Sequence, residues 1–508
     1  MGNIHHSMSV NNEYIQFIVT KIQKLVEELN ENNLKYCHWK SNYLIAETLS
    51  GRTDIDLLID RRDANQFRSI LSQLGFKPAT TTNGDPFPSI EHHFALDEES
   101  GILAHIHAYF RVITGDSLTK NYRFPIENML LENTRVINSL RLPVKSAELI
   151  VFTLRMMLKH TSLVELLLLS RYWKLVQREI NWLMEEDPID ETIDLLRCYL
   201  PSLDTNLFLN CVAAIKTPAP LYRRVILGHR LRAQLGLYAR HSILRARLEG
   251  IRKFIGMFFR RSAQSRKNMV LRNGGAMIAF VGSEATGKST LIEEMRTWLG
   301  KQFAVRQIHV GKPPSTMFTI IPNLFLPVLR ALFPGARTTQ LDTFSADRDL
   351  VKGPPSRFPL LFAIRSVLLS HDRNALLLRA FRQASNGIIV LCDRYPSLTY
   401  GAPDSPQLSL LPISTGRNYI RRLLANIEAR LYRQIPPPDL VIYLTAPITV
   451  TINRNATRGK NEPEDYVRRR HARSSNLEFG RAPIHQVNTD QPFDQTVLEV
   501  KKAIWAVL

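Results

Sequence analysis

Cysteine is scarce and scattered. The 508 residues hold Cys37, Cys198, Cys211 and Cys392, with no CxxC pair and no metal-ligand spacing. That excludes a disulfide-stapled framework and a zinc knuckle, and it fits a reducing, cytoplasmic compartment. An apolar run of about eighteen residues is also missing. The nearest, Phe318 to Phe333, is broken by Pro322, Asn323, Pro327 and Arg330, so no spanning helix is expected. Met1 to Tyr14 is polar and lacks the apolar centre of a signal peptide. His6 stands where an N-terminal acylation motif requires Ser or Thr.

Acidic residues nearly vanish between Ala219 and Arg272. Fourteen Lys/Arg there face a single acid, Glu249, so +13 of the net charge of +20 sits in one stretch. The bland reading is a solvated inter-domain helix. An amphipathic helix on an anionic membrane is the second, since basic and apolar residues mix from Ile251 to Arg261. A nucleic-acid contact is the third and is not expected. On these grounds the protein is expected in the cytoplasm, with peripheral attachment to the inner membrane face left open. A homodimer is also left open.

What is present can fold. With 44% hydrophobic and 22% charged residues, and no low-complexity tract or internal repeat, the chain can bury real cores. At ~150 residues per domain, two to four domains are expected. The pattern suggests residues 1–142 as an α+β domain, 143–273 as a helical region with a basic linker, and 274–508 as an α/β domain. In the first, Ile15 to Asn30 and Asp63 to Gly75 have helical spacing, and Thr53 to Asp60 alternates as a strand. In the second, Glu148 to His160 and Ser162 to Met184 read as long buried helices. Texture changes at Gly274-Gly275, where strand–helix alternation begins.

The strongest motif follows the apolar run Ala276 to Val281. Gly282-Ser-Glu284-Ala-Thr-Gly287-Lys288-Ser289-Thr290 matches GxxxxGK(S/T), with a strand before it and a helix over Thr290 to Trp298 after it. The glycines let backbone N–H groups wrap a phosphate, and the helix supplies its positive end. Lys288 is expected on the terminal phosphate oxygens of ATP, and the Ser289 hydroxyl on Mg²⁺. A second feature is the apolar strand Gly387 to Cys392, ending in Asp393-Arg394-Tyr395-Pro396. Ligands in open α/β sheets bind beyond such strand ends. Asp393 can hold metal-bound water, and Arg394 can fork onto a phosphorylated acceptor. Upstream, His371-Asp372-Arg373 lies in an expected helix over Leu360 to Ala384, from which Arg373 could reach the same acceptor.

Taken together, GSEATGKST, HDR and DRYP resemble the thymidylate kinase family of P-loop nucleoside monophosphate kinases. The resemblance covers about Ala276 to Leu508. It implies a parallel sheet flanked by helices, ATP and Mg²⁺, and transfer of the γ-phosphoryl to a nucleoside monophosphate or another phosphorylated small molecule. Gly282, Glu284, Gly287, Lys288, Ser289 and Thr290 would hold the nucleotide. Lys288, Asp393, Arg394, Arg454 and Arg458 would act in catalysis, the last two with Lys460 in a mobile lid. Arg373, Arg394 and Tyr395 would bind the acceptor, while Ser289 and Asp393 would serve the metal. Departures are Val281 and Thr445, where the family has acids, a shortened segment Ser397 to Asp404, and the apolar insertion Phe318 to Gly335.

Near the start, Gly51-Arg-Thr-Asp54-Ile-Asp56 places two acids on one strand face, where they could share a metal. With Tyr36 to Asn42 upstream, Ile15 to Ile126 resembles the nucleotidyltransferase superfamily. The third carboxylate of that superfamily is not evident, and His105 and His107 occupy the strand that would carry it. The domain order is similar to two-domain proteins found with bacterial surface-polysaccharide genes. The first alternative to a kinase is therefore a nucleotidyltransferase working through Asp54 and Asp56, with the P-loop half as nucleotide sensor. The second is a membrane-surface scaffold.

Overall fold

The computed structural model describes residues 18–82, 87, 89–115, 119–159, 174–217, 220–242, 245–252 except 247, 269–325 except 323, 360–399, 402–408, 419–457 and 477–508. It also describes 464, 467, 468 and 471. The chain divides into two compact units, Met1–Lys267 and Asn268–Leu508.

The first unit opens with helix α1 (Thr20–Glu31), β1 (Tyr36–His38), the short α2 (Ile45–Leu49), β2 (Ile55–Ile59) and α3 (Ala64–Gln73). Then come β3 (Lys77–Thr81), β4 (Ile90–Leu96) and β5 (Leu103–Tyr109), followed by a hairpin of β6 (Val112–Thr114) and β7 (Tyr122–Phe124). Helix α4 (Glu127–Glu132) and a second hairpin, β8 (Thr134–Ile137) and β9 (Leu140–Pro143), lead to a helical layer. That layer holds α5 (Lys145–Lys159), α6 (Ile189–Tyr199), α7 (Thr205–Lys216) and α8 (Leu221–Gln234).

Strands of this unit lie in the order β1-β2-β5-β4-β3, with β2 and β5 parallel and the other pairs antiparallel. Alternation along β2 sorts its two faces. Ile55, Leu57 and Ile59 join Ile22, Leu25, Phe67 and Ile70 in one core, with α1 and α3. Leu58 joins Trp39, Tyr109, Leu149, Phe152 and Phe208 in the other. The helices expected as a separate middle region thus share a core with the first sheet. Of the strongly basic stretch, α8 packs Leu227 and Leu231 into that core, and Arg232 donates to the carbonyl of Leu158 at 2.8 Å. Residues 253–268, Arg458 and Lys460 lie outside the described residues, as do His160, which ends one expected helix, and 162–173 of the helix expected over Ser162 to Met184.

The second unit begins with β10 (Met269–Leu271), β11 (Met277–Gly282), α9 (Lys288–Leu299) and β12 (Val305–His309). The long α10 (Leu360–Ser385), β13 (Ile389–Asp393), α11 (Tyr419–Arg433), β14 (Leu440–Thr445), α12 (Ile448–Thr457), β15 (Ile484–Asn488) and α13 (Phe493–Val507) complete it. Its five-stranded sheet runs β12-β13-β11-β14-β15, and all pairs in that sheet are parallel. β11 to β14 are near-continuous apolar runs apart from β12, as a sheet covered on both faces requires. β11 sits in the middle, and the chain passes to one side for β12 and β13 and to the other for β14 and β15. This is a topological switch point, and it opens a crevice at the carboxyl end of β11.

Candidate active site

The loop at that crevice is shaped by backbone sterics. Gly282 (φ +140°), Ala285 (φ +59°) and Gly287 (φ +85°) all lie in the left-handed half of backbone space. At Gly282 a Cβ would fall 2.3 Å from the carbonyl oxygen of Leu444 at the end of β14, so only glycine lets the loop lie this close to the sheet. Gly287 is the N-cap of α9 and supplies no capping side chain, which leaves the positive end of the helix facing a cavity of about 270 Å³. Lys288 curls back, its Nζ donating to the carbonyls of Gly282 at 3.0 Å and Ser283 at 2.5 Å. Thr286 ties the turn by donating from Oγ1 to the Ser283 carbonyl at 2.8 Å.

Five residues of the loop and helix start line this cavity: Glu284, Ala285, Gly287, Lys288 and Ser289. Across from them stand His309, Asp393, Arg394 and Asn455. Thr290 is exposed on α9 and does not line it. His309 and Asp393 end adjacent strands in register, with Nδ1 and Oδ2 3.1 Å apart. Sequence reading missed His309 and Asn455; only the strand register and the turn of α12 bring them in. Ser289 and Asp393 supply one hydroxyl and one carboxylate to the same space. That donor set fits Mg²⁺ on a nucleotide, whose remaining positions are filled by phosphate oxygens and water.

Arg394 also has a left-handed backbone, φ +70°. Its stem passes so close to Gly311 that a Cβ there would lie 2.9 Å from the Arg394 Cδ. Its guanidinium reaches Oδ2 of Asp404 at 3.4 Å. Arg373 comes from α10 and holds the other Asp404 oxygen, besides donating to the Val310 carbonyl at 3.2 Å and the Tyr432 hydroxyl at 2.8 Å. A second cavity, about 270 Å³, opens beside this cluster between α10 and α11. Arg373 lines it together with Phe362, Ser366, Asp404, Gln407 and Tyr432.

Two expected roles meet a different geometry. Tyr395 is 5% exposed, packs with Met277, Leu377 and Val441, and donates its hydroxyl to the Pro436 carbonyl. The left-handed backbone of Arg394, just past the end of β13, breaks the strand's alternation, and Tyr395 enters the core as a packing residue. Arg454 points to the loop after β15, donating to Thr489 at 3.2 Å (Oγ1) and 2.8 Å (carbonyl). In this arrangement it braces the loop and does not line the phosphate cavity.

In the first unit, Asp54 and Asp56 do share a face, and β5 brings His105 and His107 opposite them. Lys40 and the two histidines engage both carboxylates. Lys40 lies 2.8 Å from Oδ1 of Asp56 and His107 lies 3.1 Å from it, while His105 is 2.7 Å from Asp54. Burial is the largest influence on Asp56 and raises its pKa, but Lys40 and His107 together outweigh it and hold the group below the usual carboxylate range. Burial likewise pushes His107 down to about 4, so it is neutral at pH 7. Among the described residues no group of three or more His, Cys, Asp or Glu could hold a metal ion. The metal role expected of Asp54 and Asp56 is corrected accordingly: Lys40 supplies the positive charge.

No protein-family model and no curated protein matches the chain. Among solved structures it is similar to deoxyadenosine kinase from M. mycoides with bound dATP, at 16% identity and a TM-score of 0.25, covering 44% of this chain and 97% of that one. It is also similar to thymidylate kinase from Candida albicans, at 18% identity and a TM-score of 0.27, covering 46% and 91%. No described helix is long and apolar enough to cross a membrane.

Proposed function

We propose that the second unit is an ATP- and Mg²⁺-dependent phosphotransferase resembling the thymidylate kinases, acting on a small-molecule acceptor. The observation that carries this is the glycine-shaped loop and uncapped helix start, bearing Ser289, that face Asp393 across one cavity. The loop N–H groups and Lys288 bind the triphosphate, and Lys288 leaves the Gly282 and Ser283 carbonyls to do so. Bound Mg²⁺ would neutralise the β and γ oxygens, with Ser289 and Asp393 holding it. Arg394 lies between the two cavities, where it can stabilise charge on the transferred group. The acceptor is expected in the second cavity, next to the first through Asp404 and Arg394. The rival assignment, turnover through Asp54 and Asp56, gains less support because Lys40 and His107 already engage Asp56. Contact of the basic segment 219–272 with an anionic membrane remains a separate proposal.

A γ-labelled ATP assay against nucleosides, nucleoside monophosphates, sugars and sugar phosphates tests this. Lys288→Ala should lower transfer by roughly a hundredfold or more with an unchanged melting temperature. Full transfer by that variant would overturn the assignment.

A further inference from the structure

The two arginines expected to grip an acceptor phosphate already share an anion. The Asp404 carboxylate, on a side chain 11% exposed, contacts Arg373 through Oδ1 and Arg394 through Oδ2. Arg373 is 6% exposed in its side chain and is held from every side: by Asp404, whose backbone carbonyl also accepts at 3.1 Å, by Val310 and by Tyr432. Tyr432 in turn donates to the Asp404 carbonyl at 3.1 Å. Asp404 is anchored in a short loop by the hydrogen bonds around it. Ser405 bonds Ser397 at 2.9 Å, and Gln407 donates to the carbonyls of Ala402 and Ser405, each at 2.9 Å.

A carboxylate bridging two guanidinium groups has the charge sign and the forked geometry of a bound phosphate. For a monophosphate to take its place, Asp404 must leave two cations and remain nearby as a like charge, in a partly buried site where repulsion is weakly screened. An uncharged acceptor pays neither penalty. The rest of the lining is mainly uncharged, with Phe362, Leu369 and Tyr432 beside Ser366, Ser405 and Gln407, and it holds one basic residue, Arg365, with one acidic residue, Glu428.

We propose that Asp404 is a specificity-determining residue that makes the second cavity select an uncharged, hydroxyl-bearing acceptor and reject its phosphorylated counterpart. This rests on the kinase reading of the unit. In the step itself the acceptor hydroxyl oxygen forms the new bond to the γ-phosphorus. The bond from that phosphorus to the β–γ bridging oxygen breaks, ADP departs with the electron pair, and the hydroxyl proton is released to water.

The test uses the full chain with saturating Mg-ATP and paired acceptors: thymidine and thymidine monophosphate, deoxyadenosine and its monophosphate, glucose and glucose 6-phosphate. The pairs distinguish a nucleoside from a sugar as the source of the hydroxyl. Wild type should show kcat/KM at least tenfold higher for the neutral member of whichever pair it accepts. Asp404→Asn should narrow that ratio at least tenfold, mainly by lowering KM for the phosphorylated member. Asp404→Glu, which keeps the charge, should retain the preference. A wild-type preference for the phosphorylated member overturns the proposal even if both variants fail to fold. An unchanged ratio in a folded Asp404→Asn does so too. Binding of a fluorescent ATP analogue is followed in parallel. If wild type does not bind it, the kinase reading falls and takes the proposal with it; if ATP binds but selectivity is reversed, only the proposal falls.

Discussion

The imidazole Nδ1 of His309 sits 3.1 Å from the Asp393 carboxylate, and the two residues are register partners at the ends of parallel strands β12 and β13. His309 is therefore a positioning residue for the carboxylate that would serve Mg²⁺. Removing such a support weakens metal-dependent activity by ~10-fold or more. His309→Ala is expected to raise the Mg²⁺ concentration for half-maximal turnover by about that factor, while His309→Asn recovers part of it. A magnesium titration of turnover in the three proteins measures this; superimposable curves would show that His309 has no such role.

Gly282→Ala should be more damaging than its one methyl suggests. The added Cβ would meet the Leu444 carbonyl oxygen at 2.3 Å, and that oxygen is backbone and cannot swing away. The loop must lift from the sheet, so nucleotide affinity should fall at least tenfold. By contrast, Gly287→Ala meets no neighbour within 4 Å and carries only the strain of φ +85°, a cost of ~1 kcal/mol. Calorimetric titration with ATP ranks the two, and equal affinities would refute the steric account.

Glu148 gives the first unit a defined pH dependence. Complete burial pushes its carboxyl from 4.5 up to about 7, against the pull of the Asn42 N–H, which donates to Oε1 at 3.2 Å. The other oxygen, Oε2, finds no hydrogen-bond partner among the described residues. The folded state thus holds the proton more tightly than the unfolded state. Its stabilisation is complete below the ordinary value of 4.5 and is lost as pH rises through about 7. The amount is on the order of 3 kcal/mol. Glu148→Gln removes this term, so its stability relative to wild type should improve between acid and neutral pH. Urea midpoints of both proteins across that window measure it. The difference also cancels the opposing trend from His107, whose lowered pKa favours folding as pH rises.

Tyr395→Phe separates packing from acceptor recognition. Loss of the bond to the Pro436 carbonyl should cost ~1 kcal/mol in unfolding free energy. Acceptor KM should stay at the wild-type value. A rise in KM of tenfold without loss of stability would return Tyr395 to the binding site.

Local rules made much of the second unit legible. The glycine spacing of the P-loop, the apolar runs at β11 and β13, and the helix over Leu360 to Ser385 follow from periodicity and turn chemistry. Edge strands β12 and β15 were not legible, because Arg306, Gln307 and His485 interrupt any apolar run where one side meets solvent. The same limit hid His309: its neighbourhood with Asp393 is created by pairing across more than eighty residues of chain. Tyr395 and Arg394 are adjacent in sequence, yet one enters the core and the other the cavity, which a motif cannot state. In the first unit, alternation revealed that Asp54 and Asp56 share a face. That Lys40 is folded onto Asp56 depends on β1 lying beside β2, a tertiary fact.

The seating of Gly282 on Leu444 orders events during synthesis. The turn that cups a phosphate leaves the ribosome long before the segment that forms its floor, Leu440–Thr445, which is translated about 160 residues later. A nascent chain halted before that segment carries the whole motif and still has no seat for it, so the seated form of the turn becomes available only once Leu440–Thr445 has been made.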